Sequence, residues 1–314
     1  MSQVISHNVP VLAQDWYTQF YDVLPVHPQP QSGESFTGYL TRLAHANGIS
    51  QVTALANSLD WTLDMVRQPT ECPPSSWGQL PQAVACSTER LLATTLFYLG
   101  RKFGRSPHGI SRFVSDTFAK GVCYCPRCLA EQAQPHYLLA WRFRALDGCP
   151  VHSCRLMDVC GHCGCEVRPL AAPLRVGVCP SCRGDLSRCS SEGLTDEELS
   201  TAARRAEDLE FLLSPEPTSY EGKFNPVALG AWFGTQRRAR GVLQEELAGT
   251  LGMKEATLGG LERGETRLGA SLADYVAYVD YLGVTLQQAF TASVAITAAP
   301  DPLSASSSDS VEPP

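Results

Sequence analysis

The sequence predicts a mainly α-helical protein with small β elements in a cysteine-rich centre. Apolar residues recur at helical spacing between capping residues toward both ends of the 314-residue chain. Eleven of the 13 cysteines lie between Cys123 and Cys189, with only Cys72 and Cys86 outside this window. The hydrophobic content of 44% supports packed cores, while no apolar stretch approaches the ~20 residues that cross a bilayer. These observations favour helical domains around a centre organised by cysteine chemistry.

Composition and charge divide the chain into five segments. We expect a helical N-terminal region at 1–119, a cysteine-rich region at 120–190, an acidic connecting segment at 191–225, a compact helical domain at 226–290 and a disordered tail at 291–314. The formal net charge of −7 falls mainly on the connecting segment and the tail. This charge argues against a protein that binds nucleic acid through overall charge alone.

The N-terminal region carries two predicted helices. Phe36 and Leu40 belong to a helically spaced apolar series, and Asn47-Gly48 is typical of a helix end. Ser50 then caps a second predicted helix, SQVTALANSLD. Two short helices joined by a tight glycine turn are compatible with a helix-turn-helix, although helices that only face a core have the same spacing.

Four pairs of donors in the cysteine-rich region share one spacing, with two residues between the donors. That spacing lets a tight turn direct both donors at one metal ion, and one pair supplies half of a tetrahedral site. Taken in order, the pairs predict two structural zinc sites, each closed by four ligands: Cys125, Cys128, Cys149 and His152 in the first, and Cys160, Cys163, Cys179 and Cys182 in the second. The region is therefore expected to form two zinc modules with small zinc-ribbon β elements.

Further donors leave the exact ligand set open. Cys165 is able to replace Cys163 and Cys123 is able to replace Cys125, and the other nearby donors are Cys154, Cys189, His136 and His162. A catalytic zinc keeps an open position, which two closed sites do not offer. The N-terminal residues show no basic stretch followed by an apolar one, so we expect a cytoplasmic protein with reduced thiols rather than a disulfide framework.

The order of residues around the first site resembles that of a known family. His136-Tyr137 and Trp141 stand between the first two ligand pairs, and Leu156 follows the Cys-Pro-x-His pair by four residues. Upstream, the proline-rich stretch LPVHPQPQ precedes a helical segment that begins near Phe36. Over about residues 20–185 the chain resembles the TniQ family, the target-selection proteins of Tn7-like and related transposons, including CRISPR-associated ones.

The resemblance implies a function and partners. TniQ proteins join whatever recognises the target, either attachment-site DNA or a guide-RNA effector complex, to an AAA+ ATPase that recruits the transposase. We therefore expect a transposition target-selection adaptor whose partners are that ATPase and target DNA or a guide-RNA effector complex, with no membrane partner and with homodimerisation left open. The alternative is a zinc-containing helix-turn-helix transcriptional regulator, and a third class is a protein-only scaffold.

The segment 226–290 resembles the Cro/phage-repressor type of five-helix DNA-binding domain. That resemblance implies a support helix at about 244–251 and a recognition helix at about 254–263, separated by a turn at Gly252. The leucines that would pack between the two helices are Leu247, Leu251, Leu258 and Leu261.

The same resemblance assigns nucleic-acid contacts. They are Gln244 toward phosphate, Lys254, Glu255 and Thr257 toward bases, and Arg263 and Arg267 near the backbone. Two glycines, Gly259-Gly260, weaken the recognition helix by roughly 1 kcal/mol each relative to alanine. Since Glu255 would also repel phosphate, protein docking or dimerisation through this domain stays open.

Arg142 and Arg144, beside Trp141, are further candidate nucleic-acid contacts. Arginine beside tryptophan is at least as typical of a cation–π contact or a core rim. The sequence has no nucleotide-binding P-loop, no Gly-x-Ser-x-Gly elbow and no His-Glu-x-x-His helix. We therefore expect a binding protein and not an enzyme.

Overall fold

The computed structural model describes residues 23–59, 71–74, 76–215, 225–265 and 269–298. In these ranges the protein is mainly α-helical, which confirms the predicted fold class. The helices are α1 Phe36–Ala46, α2 Val52–Ser58, α3 Leu80–Ala83, α4 Thr88–Leu92, α5 Phe97–Lys102, α6 Pro107–Val114, α7 Pro126–Glu131, α8 Asp196–Leu213, α9 Pro226–Ala239, α10 Gln244–Leu251, α11 Glu255–Glu262, α12 Leu272–Leu282 and α13 Leu286–Ala298. Two short 3-10 helices cover Leu139–Arg142 and Leu186–Arg188. None of the helices in these ranges is both long enough and apolar enough to traverse a bilayer.

Within the described residues, two short strands form a small sheet. Strand β1, Gly148–Cys149, pairs antiparallel with β2, Cys154–Arg155, and aligns Cys149 with Cys154 across the hairpin. The hairpin lies in the cysteine-rich region, where small β elements are predicted.

The chain packs into two compact units whose boundaries differ from the five expected segments. The first unit comprises the described residues up to Thr95 together with Ala119–Arg142 and Asp147–Thr195. The second comprises Leu96–Phe118, Phe143–Leu146 and the described residues from Asp196 onward. The expected N-terminal region 1–119 is therefore divided, because its last part packs with helices from the other end of the chain.

The core of the first unit is built on α1 and α2. The Ser35 side chain caps α1 by accepting a hydrogen bond from the backbone N–H of Gly38. The apolar face of α1 is buried as its spacing predicts. Helix α2 begins at Val52, and Gln51 occupies its N-cap without a side-chain bond. The expectation that Ser50 caps this helix is therefore wrong, since the chain turns into the helix one residue later.

The core of the second unit has Phe103 at its centre. Its ring lies 4.9 Å from the ring of Phe113, 4.8 Å from that of Tyr275 and 5.2 Å from that of Phe290, measured between centroids. These rings come from both ends of the chain, and burial of large aromatic surface is what holds such distant segments together. Segment 96–118 thereby becomes part of the second unit.

Helices occupy much of the expected acidic connecting segment and the start of the expected disordered tail. The 18-residue helix α8 occupies much of the expected acidic connection, and its Leu209 and Leu212 are buried. Helix α13 extends to Ala298, beyond the expected start of the disordered tail at 291, and it buries Phe290 and Ser293. In both helices a buried apolar face supplies the stability that the polar composition alone does not.

Helices α9 to α13 contain the predicted helix-turn-helix segment. Helix α10 has the predicted bounds of the support helix, and α11 is the predicted recognition helix with Lys254 as its N-cap. Gly252 between them adopts φ +67°, a left-handed conformation that glycine tolerates without a steric penalty. Three of the four leucines predicted to pack here are buried, whereas Leu251 is half-buried.

Candidate metal centres

The first centre consists of Cys125, Cys128, Cys149 and His152. Cys125 is the N-cap of α7, and Pro126 at the start of that helix is compatible with the missing backbone N–H there. Cys128 lies in the same helical turn, and its backbone N–H donates to Cys125 Sγ over 3.5 Å. Cys149 ends β1 and His152 lies in the turn that leads to β2. One helix start and one hairpin turn thus bring the two pairs together.

The donor atoms of the first centre have the spacing of a tetrahedral site. His152 Nδ1 lies 3.5 Å from Cys125 Sγ, 3.2 Å from Cys128 Sγ and 3.5 Å from Cys149 Sγ. The Sγ atoms of Cys128 and Cys149 are 3.6 Å apart. Zinc–sulfur bonds near 2.3 Å place tetrahedral sulfur ligands about 3.8 Å apart, so these four donors fit a zinc ion.

Glu131 orients the imidazole of the first centre. Its Oε2 lies 2.9 Å from His152 Nε2, the ring nitrogen that faces away from the thiols. A carboxylate that accepts the Nε2–H leaves the Nδ1 lone pair directed at the ion, which is a common arrangement for metal-binding histidines. Glu131 was not predicted from the sequence, although it lies only three residues after the predicted ligand Cys128.

The thiols of the first centre are electrostatically coupled. Hydrogen bonds from Cys125 and Cys128 lower the pKa of Cys149 below that of an ordinary thiol. Hydrogen bonds with Cys125 and Cys149, together with burial, raise the pKa of Cys128 above that of an ordinary thiol. Without a cation, one thiolate is therefore stabilised at the expense of its neighbours. A divalent ion would let all three sulfurs ionise together.

The second centre consists of Cys160, Cys163, Cys179 and Cys182. The Sγ atoms of Cys160 and Cys182 are 3.8 Å apart, and those of Cys163 and Cys179 are 3.7 Å apart. Both distances match the edge of a sulfur tetrahedron around zinc. Cys160 and Cys179 are buried, whereas Cys163 and Cys182 are exposed. This site is therefore closed by four sulfurs, with water able to reach one side of it.

Backbone N–H groups also face the sulfurs of the second centre. The N–H of His162 donates to Cys160 Sγ over 3.4 Å, and that of Gly184 donates to Cys182 Sγ over 3.4 Å. An isolated β-bridge between Val159 and Glu166 frames one of the two cysteine pairs. Tight turns with inward N–H groups are therefore what the two-residue spacing produces here.

The structure resolves most of the open ligand choices. The two clusters contain Cys163 and Cys125, not the alternatives Cys165 and Cys123. His162 Nε2 instead lies 2.9 Å from the backbone oxygen of Asp185. The remaining nearby donors occupy other positions: His136 Nδ1 lies 2.8 Å from the oxygen of Gln134, and Cys154 Sγ lies 3.6 Å from Cys125 Sγ.

Arg142 is not placed as a nucleic-acid contact. It is 1% exposed, and its Nη1 lies 3.2 Å from Oε1 of Glu71, which is also buried. Glu71 in turn accepts hydrogen bonds from the backbone N–H and the hydroxyl of Thr37. A guanidinium enclosed in this way has no access to a phosphate, so the expectation for Arg142 is wrong. Arg144 is exposed, and its role stays a prediction.

The predicted contacts of the C-terminal domain lie in different surroundings. Gln244 is half-buried, and its Nε2 donates to Glu262 Oε2 over 3.0 Å. Lys254 is exposed and Thr257 half-exposed at the start of α11. Arg263 is exposed and its Nε donates to Glu265 Oε1. Arg267 lies outside the described residues.

Glu262, which was not predicted as a site residue, organises this part of the C-terminal domain. Its carboxylate accepts from Arg237 Nε at 2.7 Å, from Arg237 Nη2 at 2.9 Å and from the Tyr278 hydroxyl at 2.8 Å. Burial acts to raise the pKa of Glu262, but the hydrogen bonds from Arg237 and Tyr278 outweigh it. The pKa is therefore lower than that of an ordinary glutamate, and the carboxyl stays ionised. Gln244 therefore belongs to a polar network within the domain.

Helix α1 and the first centre lie in the part of the chain that is similar to a known family. The TniQ family model matches residues 25–156. This TniQ-like region includes the four donors of the first centre but not those of the second, and it covers less than half of the chain. TniQ domains are transposition-associated and non-catalytic, so the match indicates a transposition-associated protein. A search of curated proteins found no match to the chain.

Proposed function

We propose that this protein is a zinc-stabilised target-selection adaptor for DNA transposition. It joins a target-recognising complex, either a guide-RNA effector or attachment-site DNA, to the AAA+ transposition ATPase. The observation that carries the proposal is the TniQ-like region, 25–156, whose first centre has all four donors in tetrahedral spacing. The two partners are inferred from the resemblance of this chain to TniQ proteins.

Each centre takes one structural zinc ion. Four protein donors close each site, so no coordination position is left for a reacting water. A bound zinc crosslinks two turns that carry little apolar surface of their own. His152 is held by Glu131 in the orientation that binding requires, and the sulfurs of the second centre receive backbone N–H bonds. The chain itself thus prepares both sites.

Rigid zinc-held turns suit an adaptor. Two partners that must be held in a fixed relation need a surface that does not rearrange between them, and metal crosslinks give small loops that property. The helix α7 that carries Cys125 and Cys128 packs on the 3-10 helix Leu186–Arg188 next to the second centre. The two centres therefore lie close together within the first unit.

Reconstitution tests the adaptor role. The purified protein is mixed with a target-recognising complex and with an AAA+ transposition ATPase, and the ATPase retained on target DNA is measured. We expect several-fold more retention with the zinc-loaded protein than without it, and loss of the effect after zinc removal. The exposed Cys165→Ser variant, which leaves both centres intact, is the matched control. Equal retention with and without the protein would contradict the proposal.

A second candidate is a zinc-containing transcriptional regulator of the helix-turn-helix class. The observation that favours it is the arrangement of α10, the left-handed Gly252 and α11, which has the order of a helix-turn-helix of the Cro type. In that function Lys254 and Arg263 contact DNA, which their exposed side chains are able to reach. Nanomolar binding to a short palindromic duplex, lost on Lys254→Ala, together with no binding to the ATPase would support the regulator over the adaptor.

A further inference from the structure

A fifth thiol lies against the first centre. Cys154 begins β2, directly across the hairpin from the ligand Cys149, and is 6% exposed. Its Sγ lies 3.6 Å from Sγ of the ligand Cys125. Cys154 is nevertheless not one of the four donors that come together as the first centre. It therefore touches the ligand shell without completing it.

The charge of a loaded first centre explains why such a neighbour matters. Three thiolates and one divalent ion leave one net negative charge, and the Cys125 side of the centre is fully buried. A buried anion needs hydrogen-bond donors because water cannot solvate it. Cys125 receives the backbone N–H of Cys128 over 3.5 Å. Once Cys125 is a metal-bound thiolate it can only accept, so Cys154 must be the donor of the 3.6 Å contact.

In the second centre, water and backbone N–H groups take the role that the Cys154 thiol has beside Cys125. Its Cys163 and Cys182 are exposed, so water can solvate the negative charge of its sulfurs directly. Its buried Cys160 receives a backbone N–H from His162. In the first centre, the Cys154 thiol contacts the sulfur of Cys125 on the buried side of the site, which water does not reach.

We propose that Cys154 is a positioning residue of the first centre, whose S–H donates a hydrogen bond to the Cys125 thiolate and thereby sets the metal affinity of that centre. The proposal rests on the zinc sites proposed above. Outer-shell partners of this kind typically change metal affinity 10- to 100-fold, and a weak S–H donor belongs at the lower end of that range. The second centre should be unaffected.

The test compares three substitutions in the full chain. Cys154→Ala and Cys154→Val remove the donor, with Val filling more of the space, while Cys154→Ser keeps an O–H donor. Competition with a chelator measures zinc affinity, and cobalt is used as a spectroscopic probe. We expect Ala and Val to weaken one of two sites about 10-fold and to move the thiolate-to-cobalt charge-transfer band to longer wavelength, because an unbonded sulfur donates more readily. Ser should restore both values, and Cys165→Ser should change neither.

Two results would overturn the proposal. In the first, Ala and Val leave both the affinity and the charge-transfer band unchanged, so that Cys154 only fills space. In the second, all three variants bind one metal instead of two, so that Cys154 is itself a ligand. Native mass spectrometry of the unmodified protein separates these results from a failure of the zinc proposal, which would show fewer than two zinc ions before any substitution.

Discussion

Arg142 and Glu71 form a buried ion pair in the first unit, with 3.2 Å between Nη1 and Oε1 and side-chain exposures of 1% and 0%. The two residues are 71 positions apart in the chain. Arg142 also donates from Nη2 to the backbone oxygen of Ala119 over 3.3 Å. The pair therefore connects the segment that follows the first ligand pair to a distant part of the same unit.

We predict that Arg142→Ala destabilises the protein by about 3–5 kcal/mol, because removing one partner of a buried ion pair leaves the other charge uncompensated. Chemical denaturation of the zinc-loaded protein measures the free energy of unfolding. Arg144→Ala, at an exposed position two residues away, should change it by less than about 0.5 kcal/mol. Similar small effects at both positions would contradict the structural role of Arg142.

We predict that Cys163→Ser removes one of two bound zinc ions, since it takes a thiolate from the second centre. Native mass spectrometry counts the ions. Cys165→Ser is the matched control, because Cys165 is exposed, two residues away, and not among the four donors. Two ions in Cys163→Ser combined with one in Cys165→Ser would show that Cys165 is the ligand.

We predict that Gly230→Ala destabilises the second unit by about 1–3 kcal/mol or more, because helices α9 and α11 approach each other at this residue. A Cβ at Gly230 would lie 2.5 Å from the oxygen of Leu261 and 2.7 Å from the nitrogen of Gly264, both backbone atoms. Gly249→Ala in α10 meets nothing within 4 Å. It should instead stabilise that helix by about 0.5–1 kcal/mol. Thermal unfolding of both variants checks the opposite signs.

We predict that Asp208→Asn stabilises the protein at neutral pH. Asp208 is 3% exposed; Oδ1 accepts from the backbone N–H of Gln287, while Oδ2 has no hydrogen-bond partner among the described groups. Burial raises the pKa of Asp208 above its usual 3.8, against the opposing effects of Gln287 and Arg205. Asparagine keeps an acceptor for Gln287 without the buried charge.

The pH dependence follows from the raised pKa. Between the unfolded and the folded pKa the folded state binds more protons, so the free energy of unfolding falls as pH rises from about 4 through the folded pKa. Above the folded pKa the penalty is constant, and below the unfolded pKa it is absent. Unfolding at a series of pH values should show a steeper fall in the unmodified protein than in Asp208→Asn, because other carboxyls with a raised pKa, such as buried Glu71, contribute equally to both. The exposed neighbour Glu207→Gln should leave it in place, and an identical slope in both variants would contradict the assignment.

Local patterns in the sequence were sufficient where all the partners are close in the chain. Each pair of ligands spans one turn, so its spacing alone fixes how two donors face one ion, and both four-donor sets were predicted in full. The bounds of α10 were also predicted, since the residues that begin and end a helix lie within it or beside it. The role of Glu131 beside the first centre was not predicted, although this residue is also close in the chain to a ligand.

Partners far apart in the chain could not be predicted in this way. The sequence by itself determined the mainly helical class, the two ligand sets and the helix order of the C-terminal domain. Only the tertiary structure decided that Arg142 is enclosed with Glu71, that Gln244 is bound to Glu262, and that Phe103 joins the C-terminal unit. Burial and charge pairing depend on which distant segments meet, and that follows from how the whole chain excludes apolar surface from water, not from the spacing of neighbouring residues.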